Sequence, residues 1–216
     1  RKLFMFVAIS TEYLPNYLKI KELLPTLGEI KIIQCNYSQY SSRYNSFKEG
    51  KVLPAFDPAF SGGALMDLNI YNIHYVVGLF GKPKKIEYYA NIERNIDTSG
   101  ILILDYNTFK CTCIGAKDCK APISNNIQGS NVCIYVDTPV NSCENFKIIM
   151  NDGTTKVFNE NKYKHRMVSE FIEFINIINK NDLESCYKML DHSLIVSEVQ
   201  TIARKKANII FDADNN

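Results

Sequence analysis

Between residues 84 and 160 the chain carries five short strand-like runs, at 85–92, 100–106, 110–115, 132–137 and 146–150. They are rich in β-branched and aromatic residues, which fit a pleated, half-buried surface. Asn151-Asp152-Gly153 has the composition of a tight hairpin turn, so residues 155–158 are expected to pair back on the strand before it. Such a meander builds a mainly antiparallel sheet. Residues 29–40 add a further strand, with a period of two and a content of Ile and Tyr.

Helical signals flank this block. Residues 15–27 read as a helix with Leu14, Leu18, Leu23 and Leu24 on one side, ended by Pro25 and Gly28. Two helices close the chain. Met167, Phe171, Phe174, Ile175 and Ile178 form an apolar stripe on the first, and Leu190, Leu194, Val199 and Ile202 on the second. Residues 208–211 read as a short terminal strand. Helices packed on one face of an open, mainly antiparallel sheet give an α+β domain, expected over residues 13–216. Residues 3–8 are continuously apolar, the pattern of a strand buried on both faces in a parallel sheet. At the edge of an α+β domain that pattern has no natural neighbours. Residues 1–12 are therefore expected to be the remnant of something else.

The 216 residues are 46% hydrophobic and 12% aromatic, enough for a substantial core. A formal net charge of +2, spread along the chain, argues against a nucleic-acid or membrane-surface partner. No stretch reaches the roughly 18 apolar residues of a membrane span. The first residue is Arg, and the short apolar run behind it has no cleavage site. Seven cysteines without a Cys-x-x-Cys pair fit reduced thiols and a cytoplasmic location better than a disulfide framework. Cys111 and Cys113 would share one face of a strand, and a zinc site built from them and Cys119 has the wrong spacing. Three histidines without metal-ligand spacing argue the same way, and His165 and His192 are read as structural.

Chemistry is most legible in residues 61–81. Asp67, Tyr71 and His74 lie at i, i+4 and i+7 of a helix that is otherwise apolar, so on α-helical geometry they share one face. A carboxylate one turn from a phenol can position and move a proton. Gly62 and Gly63 before the helix would let backbone approach a ligand closely. Residues 41–60 form a long polar and aromatic loop, a length that favours a functional role. In it Arg43 can hold a polyol hydroxyl or a carboxylate, and Tyr44 can wall a pocket. The plain alternatives are a core tyrosine at Tyr71, a packed histidine at His74 and an ordinary loop-to-helix junction at the glycines.

The segment Gly62-Gly63-Ala64-Leu65-Met66-Asp67-Leu68-Asn69-Ile70-Tyr71-Asn72-Ile73-His74, ending in Leu79-Phe80-Gly81-Lys82-Pro83, resembles the Gfo/Idh/MocA family of nicotinamide-dependent oxidoreductases. The order of elements also resembles that family's C-terminal domain, a dihydrodipicolinate-reductase-like fold. Asp191-His192-Ser193-Leu194 and Ile202-Ala203-Arg204-Lys205-Lys206-Ala207 agree with it too. The resemblance implies that Asp67 and Tyr71 are the catalytic pair of the family's tyrosine branch, similar to dimeric dihydrodiol dehydrogenase and glucose-fructose oxidoreductase. It implies Arg43, Tyr44 and His74 at the substrate, and Gly62 and Gly63 near the cofactor. NAD or NADP would be held mainly by an N-terminal Rossmann domain. These residues contain neither Gly-x-Gly-x-x-Gly nor the Glu-Lys-Pro that carries the family's catalytic lysine. Residues 1–12 then match the last Rossmann strand, and the chain is expected to be inactive alone.

In this reading Tyr71 exchanges the hydroxyl proton of a sugar, polyol or trans-dihydrodiol. A free phenol titrates near 10, and a lysine ammonium beside it favours the phenolate. Asp67 positions the pair or the substrate. The resemblance further implies a homodimer or homotetramer formed through the open sheet face. The competing reading is a non-catalytic ligand-binding or oligomerisation scaffold of the same fold.

Overall fold

The computed structural model describes residues 3–215. The strands are β1 (Ile30–Ser38), β2 (Lys85–Glu93), β3 (Ile96–Asp105), β4 (Lys110–Ala116), β5 (Ser124–Gly129), β6 (Val132–Val136), β7 (Phe146–Met150) and β8 (Thr155–Phe158). They make one eight-stranded sheet in the order β2-β3-β4-β1-β5-β6-β7-β8. The helices are α1 (Pro15–Leu23), α2 (Tyr44–Lys48), α3 (Ile70–Phe80), α4 (Met167–Asn179) and α5 (Leu183–Lys206).

The earliest strand lies in the middle of the sheet. β1 pairs parallel with β4 and antiparallel with β5, and every other pairing among the described residues is antiparallel. The expected α+β class is what the chain adopts. The Asn151-Asp152-Gly153 hairpin forms as expected, with Gly153 at positive φ joining β7 to β8. β5 is a strand the sequence pattern does not announce. Ser-Asn-Asn-Ile-Gln-Gly offers one apolar residue, Ile127, and its place is set by ladders to β1 and β6.

One face of the sheet is the core. Ile33 and Cys35 of β1, Leu102 and Leu104 of β3, Cys111 and Cys113 of β4, and Ile127, Ile134 and Ile148 point inward and are buried. Cys35 sits in register with Cys113, and Cys111 shares the inward face of β4 with Cys113, as a two-residue spacing requires. Burial pushes the Cys111 thiol up, so it packs as a small apolar group. Buried helix amides cross to the sheet. Asn69 Nδ2 donates to the Cys113 carbonyl at 2.9 Å and Asn72 Nδ2 to that of Ile114 at 3.1 Å.

The opposite face carries Ile32, Ile101 and Tyr89, the last 68% exposed. Tyr89, Ile101 and Ile114 line up across β2, β3 and β4. Gln34 and Asn126 follow one another across β1 and β5.

Five expectations are corrected. Residues 3–9 form no strand and lie outside the sheet, because no neighbouring strand offers them a ladder. In α1 the buried residues are Asn16, Tyr17 and Ile20, while Leu18 faces out, because Tyr17 and Ile20 are the pair that meets the core. In α4 only Phe174 and Ile177 are buried among the apolar residues of the expected stripe and its neighbours. Phe171, Ile175 and Ile178 are about half exposed, because the face of α4 they occupy has no partner element among the described residues. Leu194 of α5 is exposed for the same reason, whereas Val199 is fully buried. Residues 208–211 are irregular, with Ile209 and Phe211 tucked into the core and a 3-10 turn, Asp212–Asn215, after them. No described helix is long and apolar enough to cross a membrane.

Candidate active site

The helix predicted over the Gly-Gly motif has two parts. Leu65–Asn69 is a π turn, and the regular α-helix α3 begins at Ile70. A π turn rotates less per residue than an α turn, so the arithmetic that aligned Asp67, Tyr71 and His74 no longer holds. Asp67 and Tyr71 stay one turn apart. His74 rotates away.

Asp67 lines a cleft of about 370 Å³ with Arg43, Pro54, Ala55, Phe60, Ser61, Gly62 and Met66. Its carboxylate is half exposed, and Oδ2 lies 2.7 Å from the Nζ of Lys117, a side chain only 2% exposed. Lys117 follows the last residue of β4. Its ammonium also donates to the carbonyl of Ala55 and stands 4.5 Å from the ring centroid of Phe56. Tyr71 is half-buried. Its ring lies 6.0 Å from that of Tyr37, and the Arg166 guanidinium stands 6.0 Å from its centroid. Burial pushes the Tyr37 hydroxyl up. A second cleft, about 670 Å³, is lined on this side by Arg166, Lys162, Lys164 and His165.

The wall behind Asp67 is a buried polar cluster. Asp97 accepts from the Leu65 N–H at 2.6 Å and from the Tyr88 hydroxyl at 2.7 Å. Burial raises the Asp97 carboxyl to about 6. The two glycines serve this wall. A Cβ on Gly62 would lie 2.7 Å from the Pro54 carbonyl oxygen and 2.8 Å from the Asp57 nitrogen. One on Gly63, at φ +105°, would meet Asp97 Oδ1 at 2.1 Å. The close approach that the Gly-Gly pair permits is thus to the protein's own backbone and to Asp97. Gly62 also lines the cleft, and Gly63 does not.

Arg43 lines the cleft. Tyr44 does not wall it: its ring packs 6.2 Å from Phe47 and 5.8 Å from Phe56, and its hydroxyl donates to Glu93 Oε1 at 2.6 Å. That bond pushes the Tyr44 hydroxyl up to about 12. The period of α2 turns Tyr44 and Phe47 together into the aromatic core.

His74 is buried on the side of α3 that meets α5. Its Nδ1 lies 2.8 Å from His192 Nε2, which lies 3.2 Å from Glu12 Oε1. Burial holds His74 down at about 3 and His192 at about 4, the latter helped by Lys21. Both rings are neutral at pH 7, one donating to the other. Burial raises Glu12 to about 7, with Lys21 opposing. His192, read from sequence as structural, is the partner of His74.

Sequence reasoning missed Lys117, Tyr37 and Arg166. Counting by two along β1 from the buried Ile33 and Cys35 puts Tyr37 on the helix side, a signal that was available. Lys117 and Arg166 have no local signal, since both sit in polar stretches that read as surface.

Residues 17–131 match the GFO/IDH/MocA C-terminal domain. The scyllo-inositol 2-dehydrogenase (NADP(+)) IolU of Bacillus subtilis is 34% identical over 209 residues, which is 96% of this chain and 63% of that protein. The chain belongs to the GFO/IDH/MocA family. Trans-1,2-dihydrobenzene-1,2-diol dehydrogenase of Sus scrofa is 29% identical over 111 residues, covering 49% of this chain and 31% of that protein. In fold, the chain is similar to KijD10, a 3-ketoreductase from Actinomadura kijaniata solved with NADP and TDP-benzene. The TM-score is 0.78 at 14% identity, over 95% of this chain and 63% of that one. The chain thus spans less than two thirds of the relatives it matches.

The Glu12–His192–His74 cluster makes stability depend on pH in opposing ways. Unfolded histidines titrate near 6.5 and the folded ones near 3 and 4, so acidification below 6.5 protonates the unfolded chain first and stability falls. Glu12 titrates near 4.5 unfolded and about 7 folded, so it adds stability as pH falls from 7 to 4.5. Glu12→Gln removes the opposing contribution. Its unfolding free energy, measured by urea denaturation, should fall more steeply from pH 7 to 4.5 than that of the wild type. Parallel curves would refute the assignment.

Proposed function

We propose that the chain is the substrate-binding and catalytic part of an NADP- or NAD-dependent oxidoreductase acting on a carbinol carbon of a sugar or cyclic polyol. The observation that carries this reading is the Asp67–Tyr71 pair. A carboxylate and a phenol stand one turn apart on one element, the carboxylate in an open cleft with one oxygen fixed by a buried ammonium. Family membership supports it. A relative matched over 96% of this chain is named for an inositol and for NADP(+), which favours a polyol over a dihydrodiol.

A bound nicotinamide supplies or accepts the hydride. In this reading the cleft lined by Arg43, Gly62, Met66 and Asp67 would receive the nicotinamide end. Tyr71 gives or takes the hydroxyl proton. Asp67 accepts from a neighbouring hydroxyl and orients the carbinol, and Arg43 reaches a further hydroxyl from the opposite wall. His74, in this reading, supports α3 from behind through His192 and does not touch substrate.

Residues 1–12 are proposed to continue from a dinucleotide-binding domain, which would supply the cofactor site and the catalytic lysine. The half-exposed Phe171, Ile175 and Ile178 of α4 support this, because α4 lies beside the N-terminal segment, with Phe6 stacked 4.3 Å from Phe174. The outer sheet face is proposed to pair with a second copy, since Tyr89, Ile101 and Ile114 form an apolar stripe across adjacent strands. The location proposed is cytoplasmic, on the strength of seven cysteines of which none is bridged.

In the full-length protein, Tyr71→Phe should lower kcat for polyol oxidation by about 10²-fold or more, with the Kd for NADP(H) unchanged. Near-normal turnover would sink the assignment. These 216 residues by themselves should leave NADPH fluorescence unchanged up to millimolar cofactor, and a micromolar Kd would contradict the proposed split of labour. Ile101→Glu should dissociate the assembly in sedimentation velocity while leaving the far-ultraviolet circular dichroism intact. An oligomer unaffected by that charge would place the interface elsewhere.

A further inference from the structure

Lys117 is a lysine whose side chain is almost wholly buried, and burying an ammonium without partners costs several kcal/mol. Its partners are therefore informative. The Ala55 carbonyl and the face of Phe56 both belong to the 3-10 turn Pro54–Phe56, on the loop that forms one wall of the cleft. The third partner is Asp67 Oδ2, on the π turn that forms the other wall. Lys117 itself is fixed at the end of β4, its N–H donating to the Thr98 carbonyl at 2.8 Å and its own carbonyl accepting from Ser41 N–H at 2.8 Å. One ammonium thus ties sheet, loop and π turn together at the base of the cleft.

The pair is also asymmetric. Lys117 is 2% exposed and Asp67 50% exposed, so the cation is the buried end and the carboxylate the wet end. Exposed ion pairs contribute little to stability, and a fully buried pair would hide both groups. This one presents a carboxylate to the cleft with Oδ2 committed to the ammonium, which leaves Oδ1 to accept from a ligand hydroxyl. A free aspartate on a helix surface would rotate among rotamers and lose that direction.

We infer that Lys117 is a positioning residue: through its bond to Asp67 Oδ2 and its hold on residues 55–56 it fixes the acceptor direction of Asp67 and the width of the substrate cleft. It acts through Asp67 and does not touch the substrate. The inference rests on the reading of Asp67 as a substrate-orienting group.

The test is a double-mutant cycle in the full-length protein, with Lys117→Met, Asp67→Asn and the double variant. Polyol binding to the enzyme–NADP complex is read by calorimetry, kinetics at saturating cofactor, and folding by thermal unfolding. Lys117→Met should weaken polyol binding and lower kcat/KM by about 10²-fold, the cost of a misplaced contact group, with the Kd for NADP unchanged. Asp67→Asn should lose a similar factor, and the double variant should be no worse than Asp67→Asn alone. Losses that multiply in the double variant, or a Lys117→Met protein that binds polyol like wild type, would overturn the inference. Lys117→Gln, which keeps a donor for the Ala55 carbonyl, is the second variant should the methionine protein not fold. If neither variant folds, Lys117 is a structural anchor and the inference is wrong. A wild-type protein that binds no polyol would instead sink the proposed function. In that case the same cycle, read on the thermal unfolding midpoint, still decides whether Lys117 and Asp67 are coupled.

Discussion

The site depends on one buried charge. Lys117 could not sit where it does without a carboxylate, a carbonyl and an aromatic face around it, and those three groups come from segments 50 or more residues away in sequence. Satisfying that ammonium draws residues 54–56 and the π turn at Leu65–Asn69 toward each other. The cleft is the gap that remains. The outward carboxylate that lines it, with one oxygen tied to the ammonium, follows from how the charge is neutralised.

The π turn lies before α3, so it changes the angle of Asp67 to both Tyr71 and His74. On α3, Tyr71 stays half-buried beside Tyr37, while His74 faces α5, where His192 and Glu12 satisfy it. Gly62 and Gly63 let this segment lie flat against Asp57 and Asp97. Two bare backbones therefore solve a packing problem beside the wider turn. π turns recur at functional sites.

The two faces of the sheet divide the labour. The inner face packs thiols and aliphatics under α3 and α5 and so fixes the height of the Asp67–Tyr71 pair above the sheet. The outer face keeps an apolar row of Tyr89, Ile101 and Ile114 on one side and the polar pair Gln34 and Asn126 on another, whose amides bond each other at 3.4 Å. The unpartnered face of α4 is a second apolar area, next to the N-terminal segment.

Much of this was legible in the residues. Alternation at β1, β2, β3, β4, β6 and β7, the Asn-Asp-Gly hairpin and the Gly-Gly helix each carry their own local signal, because side-chain period and turn chemistry are short-range properties. They determined the α+β class and singled out Asp67, Tyr71 and Arg43. Local signals failed where a partner decides the outcome. Residues 3–8 look like a strand but have no ladder here, while the polar β5 is a strand because β1 and β6 supply one. Tyr44 and His74, both read as pocket groups, were claimed by an aromatic core and by a second histidine. Lys117 looked like any surface lysine. Whether a charge is buried depends on what lies across the fold from it, and only the tertiary structure sets that distance.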